Sequence, residues 1–340
     1  MKPLLEVDQL HVSFRTYGGE VQAVRGVSFS VKEGETLAIV GESGCGKSVT
    51  ARALMGMIPP RSGQVKSGSI RFRGRELTGL TKLEWLQVRG SQIGMIFQDP
   101  MTSLNPTMKI GLQIAEGLIK HRKQTKAQAK EETLKLLARV GIPEAARRFE
   151  QYPHELSGGM RQRVGIAMAL ACHPQLIIAD EPTTALDVTI QAQILRLMKN
   201  LQQQMNTSII LITHDLGVVA EVADHVAVMY AGVVVESGPV GEIFDNPRHP
   251  YTQGLLQSVP RLVAGKKERL IPIDGTPPDL FRPPAGCPFA ARCPFTMEIC
   301  LDHMPQAKTF FDRHEASCWF NDPRAQRAES WMVAGRETHV

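Results

Sequence analysis

The chain carries the stretch Thr36-Leu37-Ala38-Ile39-Val40-Gly41-Glu42-Ser43-Gly44-Cys45-Gly46-Lys47-Ser48, in which a short apolar run leads straight into a glycine-rich loop. The run is typical of a buried parallel strand, and residues 49–58 behind the loop have helical periodicity. The loop fits the pattern G-x4-G-K-[ST] between a strand and a helix, the context in which this pattern binds nucleotide phosphates. The sequence therefore predicts a phosphate-binding loop at the carboxyl end of a parallel strand.

Each residue type of this loop has a separate role in binding a nucleotide. Glycines let the backbone approach the phosphates, Lys47 would neutralise the β and γ oxygens, and the Ser48 hydroxyl would hold Mg²⁺. We interpret Cys45 as a small filler in the loop and not as a catalytic group. The predicted nucleotide-binding residues here are Gly41, Ser43, Gly44, Cys45, Gly46, Lys47, Ser48 and Val49.

Polar side chains end three further apolar runs, at residues 93–97, 176–179 and 209–213. Asp180 would orient the metal, whereas Glu181 points elsewhere because strand side chains alternate, and would polarise the attacking water. His214 could contact a γ-phosphate, and the Gln98 amide could reach the metal or the water. Ligands gather at the carboxyl edge of an open α/β sheet, so we expect these four groups to converge with Lys47.

A second candidate phosphate cradle lies in the sequence Leu156-Ser157-Gly158-Gly159-Met160. Its small residues permit close backbone approach, and the helix-forming stretch behind them would aim a positive dipole end at an anion. Because the chain already has one cradle, we expect two nucleotides to be sandwiched between two such domains. Ser157, Gly158 and Gly159 would then bind the nucleotide of the partner's site.

The order of these motifs resembles the ATP-binding-cassette ATPase family over residues 1 to about 240. The resemblance implies an α/β P-loop NTPase fold with a RecA-like core sheet, an N-terminal antiparallel β subdomain and a helical subdomain inserted at about residues 101–160. It implies ATP and Mg²⁺ as ligands, with Gln98, Glu181 and His214 as catalytic residues and Ser48, Gln98 and Asp180 around the metal. The segment 184–187 matches the family's D-loop and adds Asp187 to the nucleotide site. For the aromatic ring that stacks on adenine we select Tyr17, with Phe14 in reserve.

The sequence beyond residue 240 changes to proline-rich, irregular chain, so we place a C-terminal extension at residues 241–340. Its stretch His249-Pro250-Tyr251-Thr252, and residues 98–106 further upstream, resemble ATPase subunits of oligopeptide and dipeptide importers. That resemblance implies a peripheral protein at the cytoplasmic face of a bacterial membrane. Its expected partners are a second ATPase subunit, with a heterodimer favoured, two transmembrane permease subunits and, indirectly, an extracytoplasmic peptide-binding protein.

Alternatives remain open for the transported substrate and for the class of cassette ATPase. Importers of nickel or another small solute carry similar ATPases, and non-transport cassette ATPases act on nucleic acids or in translation. The inserted segment of about 60 residues and the single cassette disfavour the latter. The 39 basic and 34 acidic residues are interspersed, which argues against a nucleic-acid partner. No apolar stretch reaches the ~18 residues of a membrane span, which predicts a soluble, cytosolic chain.

Four of the six cysteines lie in the extension, at Cys287, Cys293, Cys300 and Cys318. In a reducing compartment they should be thiols or metal ligands, and thiolate-only sets favour zinc or an iron–sulfur cluster. The spacing lacks the C-x2-C pairs usual for structural zinc. The resemblance to peptide-importer ATPases favours a [4Fe-4S] cluster. Zinc bound with the help of His303 or His314, and four unligated thiols, stay open as alternatives.

Overall fold

The computed structural model describes residues 2–99, 103–184, 186–258 and 272–325. The predictions made for Pro100 to Thr102, for Ala185 of the D-loop and for residues 259–271 and 326–340 of the extension lie outside these ranges. The strands are β1 (Leu5–Thr16), β2 (Gly19–Val31), β3 (Thr36–Val40), β4 (Gly63–Phe72), β5 (Arg75–Glu76), β6 (Ile93–Ile96), β7 (Leu176–Asp180), β8 (Ser208–Ile212), β9 (His225–Tyr230), β10 (Val233–Pro239), β11 (Lys308–Phe311) and β12 (His314–Ala316). The helices are α1 (Lys47–Leu54), α2 (Lys82–Val88), α3 (Ile110–Arg122), α4 (Lys126–Arg139), α5 (Ala145–Phe149), α6 (Gly158–Leu170), α7 (Val188–Met205), α8 (Leu216–Val222), α9 (Val240–Asp245), α10 (Pro250–Gln257) and α11 (Ile299–Asp302).

A mixed sheet forms the centre of the molecule, with the strand order β11-β12-β10-β9-β3-β8-β7-β6. β3 pairs in parallel with both β8 and β9, and β6, β7 and β8 are parallel to one another. Every residue of β3, β7 and β8 is buried, as expected for parallel strands covered on both faces. The expected α/β core sheet is confirmed, and the carboxyl ends of its parallel strands share one edge.

A second sheet is built from the N-terminal part of the chain, with the order β2-β1-β4-β5. Its strands are antiparallel, and Tyr17 and Gly18 form the turn between β1 and β2. The apolar faces of β1 and β2 pack with β3 and α1 into one cluster that includes Leu10, Val24 and Leu54. The antiparallel subdomain implied by the sequence is therefore confirmed.

Between β6 and β7 the described residues form the helices α3 to α6. They share a core cluster in which Leu118, Leu137 and Phe149 are 3% exposed or less. Thr125 begins α4 with a capping box closed by Gln128. The same cluster includes Val164 of α6 and Ile177 of β7, so the helices are anchored on the central sheet.

The C-terminal residues pack against the edge of the central sheet. The central sheet continues beyond the antiparallel pair of β9 and β10, because β12 pairs with β10 and β11 pairs with β12. The junction is held by Glu236 of β10, which is 1% exposed. It accepts hydrogen bonds from the backbone N–H groups of Arg248 and His249 and lies 2.8 Å from Nε2 of His314. Three partners around one buried carboxylate fix the C-terminal segment on the sheet.

Candidate nucleotide site

The glycine-rich loop has one side packed against the fold and one side open. A Cβ on Gly41 (φ 150°) would lie 2.1 Å from the carbonyl oxygen of Met229, and one on Gly46 (φ 104°) would lie 2.4 Å from that of Ala23. By contrast, a Cβ on Gly44 (φ 80°) would meet nothing within 4 Å. Only glycine fits the first two positions, while Gly44 faces open space.

Lys47 lies at the centre of this loop, at the first residue of α1. Its ammonium donates to the carbonyl oxygens of Gly41 and Glu42 at 2.7 and 2.9 Å. The residue is 5% exposed, so its charge lies in a low-dielectric setting where attraction to a phosphate is strong. The backbone N–H groups at the start of α1 lie beside it, as an anion-binding loop requires.

Ser48 and Asp180 meet across the loop and the end of β7. The Ser48 hydroxyl donates to Oδ1 of Asp180 at 2.9 Å. Burial is the main cause that raises the pKa of the Asp180 carboxyl, and the Ser48 hydrogen bond partly opposes it. A hydroxyl and a carboxylate oxygen are donors of the type that Mg²⁺ prefers, so this pair fits the cation.

Glu181 is held in an uncommon backbone conformation beside the predicted polar groups. Its φ is 45°, in the left-handed region, and its N–H donates to the carbonyl of Ile212 at 3.0 Å. Oε2 accepts hydrogen bonds from Gln98 Nε2 and from the Thr184 hydroxyl, both at 2.9 Å. Oε1 lies 3.7 Å from Nδ1 of His214. Gln98, Glu181 and His214 are thus brought together, as the sequence predicts, and strain of this kind is found at functional positions.

Thr184 is a contact that the sequence argument missed. It was read only as part of the D-loop, yet its hydroxyl donates to the Glu181 carboxylate. A threonine three residues after the glutamate, in a turn, was the available signal. The structure therefore gives Glu181 two hydrogen-bond donors that fix its orientation.

Ser157 and its neighbours lie elsewhere on the surface. Ser157 caps α6, its Oγ accepting from the Met160 N–H at 3.4 Å, and both Ser157 and Gly158 are exposed. Asp187 caps α7 in the same manner, with Oδ1 accepting from the Ile190 N–H at 2.9 Å. Within the described ranges no hydrogen bond or ion pair joins Ser157 to Lys47, Asp180 or Glu181. The structure leaves Ser157 and Gly158 facing solvent, where a second chain could meet them.

Tyr17 and Phe14 are the two candidates for adenine stacking, and their surroundings in the structure differ. Tyr17 is fully exposed at the turn between β1 and β2. Phe14 is half-buried and packs against the core cluster of the antiparallel sheet, with Gly63 beneath its ring. Tyr17 therefore has a free face to offer a base, whereas Phe14 already has a packing role.

The four C-terminal cysteines line one small cavity, together with His249, Phe289 and other apolar residues. Burial raises the pKa of Cys287 to about 11 and that of Cys318 to about 12. No group of three or more His, Cys, Asp or Glu side chains within the described parts is arranged to hold a metal ion. His314 is bonded to Glu236 and does not line the cavity, nor does His303. The sulfurs share a cavity, but neither histidine proposed as a zinc ligand joins them.

His249 adds a polar group to this cavity wall. It is 1% exposed, and burial lowers the pKa of its imidazole to about 3. Nδ1 accepts a hydrogen bond from the Tyr251 N–H at 3.0 Å, so Nε2 carries the proton of the neutral ring. Among the described residues Nε2 has no hydrogen-bond partner. A buried donor without an acceptor is costly, and a ligand in the cavity would provide one.

Known proteins resemble the chain along nearly its whole length. A family model described as ABC transporter matches residues 24–184, and one described as oligopeptide/dipeptide transporter, C-terminal region, matches residues 235–300. The dipeptide transport ATP-binding protein DppD of Bacillus subtilis is 58% identical, with 96% of this chain and 98% of that protein covered. The oligopeptide transport ATP-binding protein OppD of the same organism is 60% identical, over 96% of this chain and 91% of that protein.

Solved structures agree with these relatives. The dimeric structure of MJ0796, described as a bacterial ABC transporter cassette, superposes with a TM-score of 0.63 at 26% identity and covers 69% of this chain and 98% of that one. In the parts of the chain that the structure describes, no helix is long and apolar enough to cross a membrane. The geometry of the loop, the identity of the relatives and the C-terminal match agree. The chain therefore belongs to the ABC transporter family, as an ATPase subunit that carries the oligopeptide/dipeptide transporter C-terminal region.

Proposed function

We propose that this ATPase drives the import of dipeptides or oligopeptides through membrane subunits that are separate chains. The observation that carries the proposal is the match of residues 235–300 to the oligopeptide/dipeptide transporter region. Relatives named as dipeptide or oligopeptide transport ATP-binding proteins are 53–60% identical. Their names support a peptide as the transported substrate.

Hydrolysis would use the groups gathered at the sheet edge. Lys47 and the backbone N–H groups of the loop would hold the phosphates, and His214 would contact the γ-phosphate. Glu181, oriented by Gln98 and Thr184, would accept a hydrogen bond from the attacking water and polarise it. Mg²⁺, held by Ser48 and Asp180 with Gln98 nearby, would neutralise charge on the phosphate oxygens.

The site needs a second cassette to complete it. Ser157, Gly158 and Gly159 lie at the start of α6, away from the chain's own Lys47 group, and would bind the nucleotide of a partner. The partner is a second ATPase subunit, and we favour a heterodimer. The pair would sit on two permease subunits at the cytoplasmic face of a bacterial membrane, supplied by an extracytoplasmic peptide-binding protein and without a nucleic-acid partner.

For the domain plan, we propose an ATPase domain at residues 1–240, with the helical subdomain at about 101–160, and a C-terminal extension at residues 241–340. In the extension we propose that four cysteines ligate a [4Fe-4S] cluster: Cys287, Cys293, Cys300 and Cys318. The four cysteines line one cavity and would supply the thiolates that hold such a cluster. The unpartnered Nε2–H of His249, in the wall of the same cavity, fits an electron-rich sulfur of the cluster.

Iron analysis tests the cluster without reference to activity. Protein purified without oxygen should contain iron and acid-labile sulfide, and Cys287→Ala should lose both. Cys172→Ala is the matched control, because Cys172 is half-buried and lies outside the cavity. Colourless, iron-free protein from an oxygen-free preparation would contradict the cluster.

Uptake measurements test the substrate class. A strain that lacks this chain should fail to accumulate a labelled dipeptide or oligopeptide, and the gene should restore uptake, whereas the Glu181→Gln variant should not. Nickel uptake is measured in the same cells as the competing class. Unchanged peptide uptake together with lost nickel uptake would replace the peptide proposal with the nickel alternative.

A further inference from the structure

Glu42, the second residue of the phosphate-binding loop, forms hydrogen bonds with side chains from the C-terminal part of the chain. Arg292 donates from Nη1 to Oε2 of Glu42 at 2.7 Å and from Nη2 to Oε1 at 3.0 Å. The Glu42 backbone N–H donates to the Tyr251 hydroxyl at 2.9 Å. The Glu42 carbonyl, in turn, accepts from the Lys47 ammonium at 2.9 Å. One loop residue thus links two C-terminal side chains to the lysine that would meet the phosphates.

Arg292 also donates hydrogen bonds to three residues other than Glu42. Nε donates to the Asp274 carbonyl at 2.8 Å, Nη2 also donates to the Ile273 carbonyl at 3.1 Å, and Nη1 also donates to the Tyr230 hydroxyl at 3.2 Å. Its side chain is 5% exposed, and the Glu42 carboxylate raises the pKa of the guanidinium above its usual value. A two-point arginine–carboxylate pair fixes orientation as well as distance.

Tyr251 is likewise enclosed by its neighbours. It is fully buried, and its ring packs against Tyr230 and Phe289 at centroid distances of 4.5 and 5.3 Å. Its hydroxyl therefore stands at a fixed place from which to accept the Glu42 N–H. The start of the phosphate-binding loop is anchored on an aromatic cluster that includes C-terminal residues.

The same C-terminal segment also supports the opposite end of the site. The Leu280 carbonyl accepts from the backbone N–H of Gln22 at 3.0 Å, in the strand that follows Tyr17. A Cβ on Gly18 would lie 3.3 Å from the ring of Phe281, so this ring lies against the turn that presents Tyr17. Residues beyond 250 therefore contact both the phosphate loop and the candidate adenine-stacking turn.

We propose that Arg292 and Tyr251 are positioning residues for ATP, which act through Glu42 to hold the phosphate-binding loop in its binding shape. A loop with glycines at positions 41, 44 and 46 loses much conformational freedom when it closes on phosphates. Contacts that order the loop beforehand remove that cost from binding. The inference rests on the ATP site alone, so its outcome is independent of which solute is transported.

A matched ion pair at the other end of the same strand provides the control. Arg313 donates from Nη1 to Oε1 of Glu35 at 2.6 Å, and Nη2 reaches the Ser30 carbonyl at 3.1 Å. Glu35 precedes β3, whereas Glu42 follows it, so both pairs tie the C-terminal segment to this strand. Within the described ranges, no side-chain hydrogen bond of Arg313 or Glu35 leads to Lys47. Arg313→Ala therefore tests a merely structural role.

The test measures the equilibrium Kd for ATP with Mg²⁺, and the melting temperature, on the full-length protein. Arg292→Ala should raise the Kd by about 10- to 100-fold. Arg313→Ala should lower the melting temperature about as much as Arg292→Ala does. It should leave the Kd for ATP within about twofold of the parent value. In the assembled transporter, Arg292→Ala should raise the KM for ATP and largely retain kcat at saturating ATP, because Arg292 does not contact the reacting atoms.

Tyr251→Phe provides a second variant, because it keeps the packed ring and removes only the acceptor of the Glu42 N–H. It should raise the Kd for ATP with little loss of melting temperature, even if Arg292→Ala does not fold. Glu42→Gln should give an intermediate Kd, since an amide oxygen still accepts one hydrogen bond from Arg292. Parent-like Kd values for both Tyr251→Phe and folded Arg292→Ala, or an equal loss in Arg313→Ala, would overturn the proposal.

Discussion

The Gln98 side-chain amide donates a hydrogen bond to the Glu181 carboxylate at 2.9 Å, across the ends of two neighbouring parallel strands. Gln98 follows β6 and precedes the helices α3 to α6, whereas Glu181 follows β7. The residue proposed to polarise water is therefore in direct contact with the segment that leads into the helices. A displacement of Gln98 would break this contact with Glu181.

Glu181→Gln should abolish turnover and preserve ATP binding. The amide cannot polarise water as a carboxylate does, and general-base removal costs about 10²- to 10⁴-fold in rate. Hydrogen bonding to Gln98 and Thr184 can persist, so the site keeps its shape. ATP hydrolysis and the Kd for ATP are measured on the same preparation. Hydrolysis at the parent rate would contradict the role assigned to Glu181.

Tyr17→Ala should mainly weaken ATP binding, whereas Phe14→Ala should mainly lower the stability of the fold. Loss of an exposed stacking ring should weaken ATP binding by about 1–3 kcal/mol and leave the melting temperature nearly unchanged. Loss of the half-buried Phe14 ring should lower the free energy of unfolding by about 2 kcal/mol with a smaller effect on ATP. Nucleotide titration and thermal melts distinguish the two. Normal ATP affinity in Tyr17→Ala would reject this residue as the adenine platform.

Gly44→Ala and Gly46→Ala separate the open face of the loop from its packed face. Alanine at Gly44 has room but a left-handed backbone, which costs about 1–2 kcal/mol, and its methyl group would enter the phosphate space. Alanine at Gly46 would in addition press against the Ala23 carbonyl. We therefore expect both variants to lose ATP affinity, with the larger fall in melting temperature in Gly46→Ala. If Gly44→Ala bound ATP like the parent, the phosphate would not occupy that space.

Asp180→Asn should stabilise the nucleotide-free protein near neutral pH and weaken its affinity for Mg²⁺-ATP. Burial raises the pKa of this carboxyl in the folded state, so its ionised form opposes folding above that pKa. As the pH falls through the raised pKa, the folded protein takes up the proton first and the penalty disappears. The difference in melting temperature between variant and parent should therefore shrink at acid pH. A difference that grows toward acid pH would show that the ionised carboxylate is stabilising.

The sequence predicted the parts of this fold that have strong local signals. The apolar runs at 36–40, 176–179 and 209–213 were found as β3, β7 and β8, since buried parallel strands consist of little else than apolar residues. Their order placed Lys47, Asp180, Glu181 and His214 at one edge. The family assignment, which rested on the same motifs, is confirmed by the relatives.

Features that depend on contacts between residues far apart in the sequence could not be predicted from local patterns. Strand β4 has mostly exposed or half-exposed residues, so it lacks an apolar signature and is not predicted from the sequence. Helix α2 is not predicted either, although Thr81 and Glu84 form a capping box at its start. The pairing of β12 with β10 depends on a buried carboxylate, Glu236, which looks like an ordinary surface residue in the sequence. The ion pair between Arg292 and Glu42 joins residues 250 positions apart in the sequence. No pattern of apolar and polar residues predicts such a contact.

ATP hydrolysis by the assembled transporter shows whether this chain drives peptide import with a partner cassette. The chain is combined with its partner ATPase and membrane subunits in lipid, and turnover is measured with and without peptide-loaded binding protein. We expect peptide to raise turnover several-fold, and we expect Glu181→Gln or Ser157→Arg in this chain to reduce the stimulated rate sharply. Turnover that is indifferent to peptide, or that persists in full when both Glu181 and Ser157 are replaced, would contradict it.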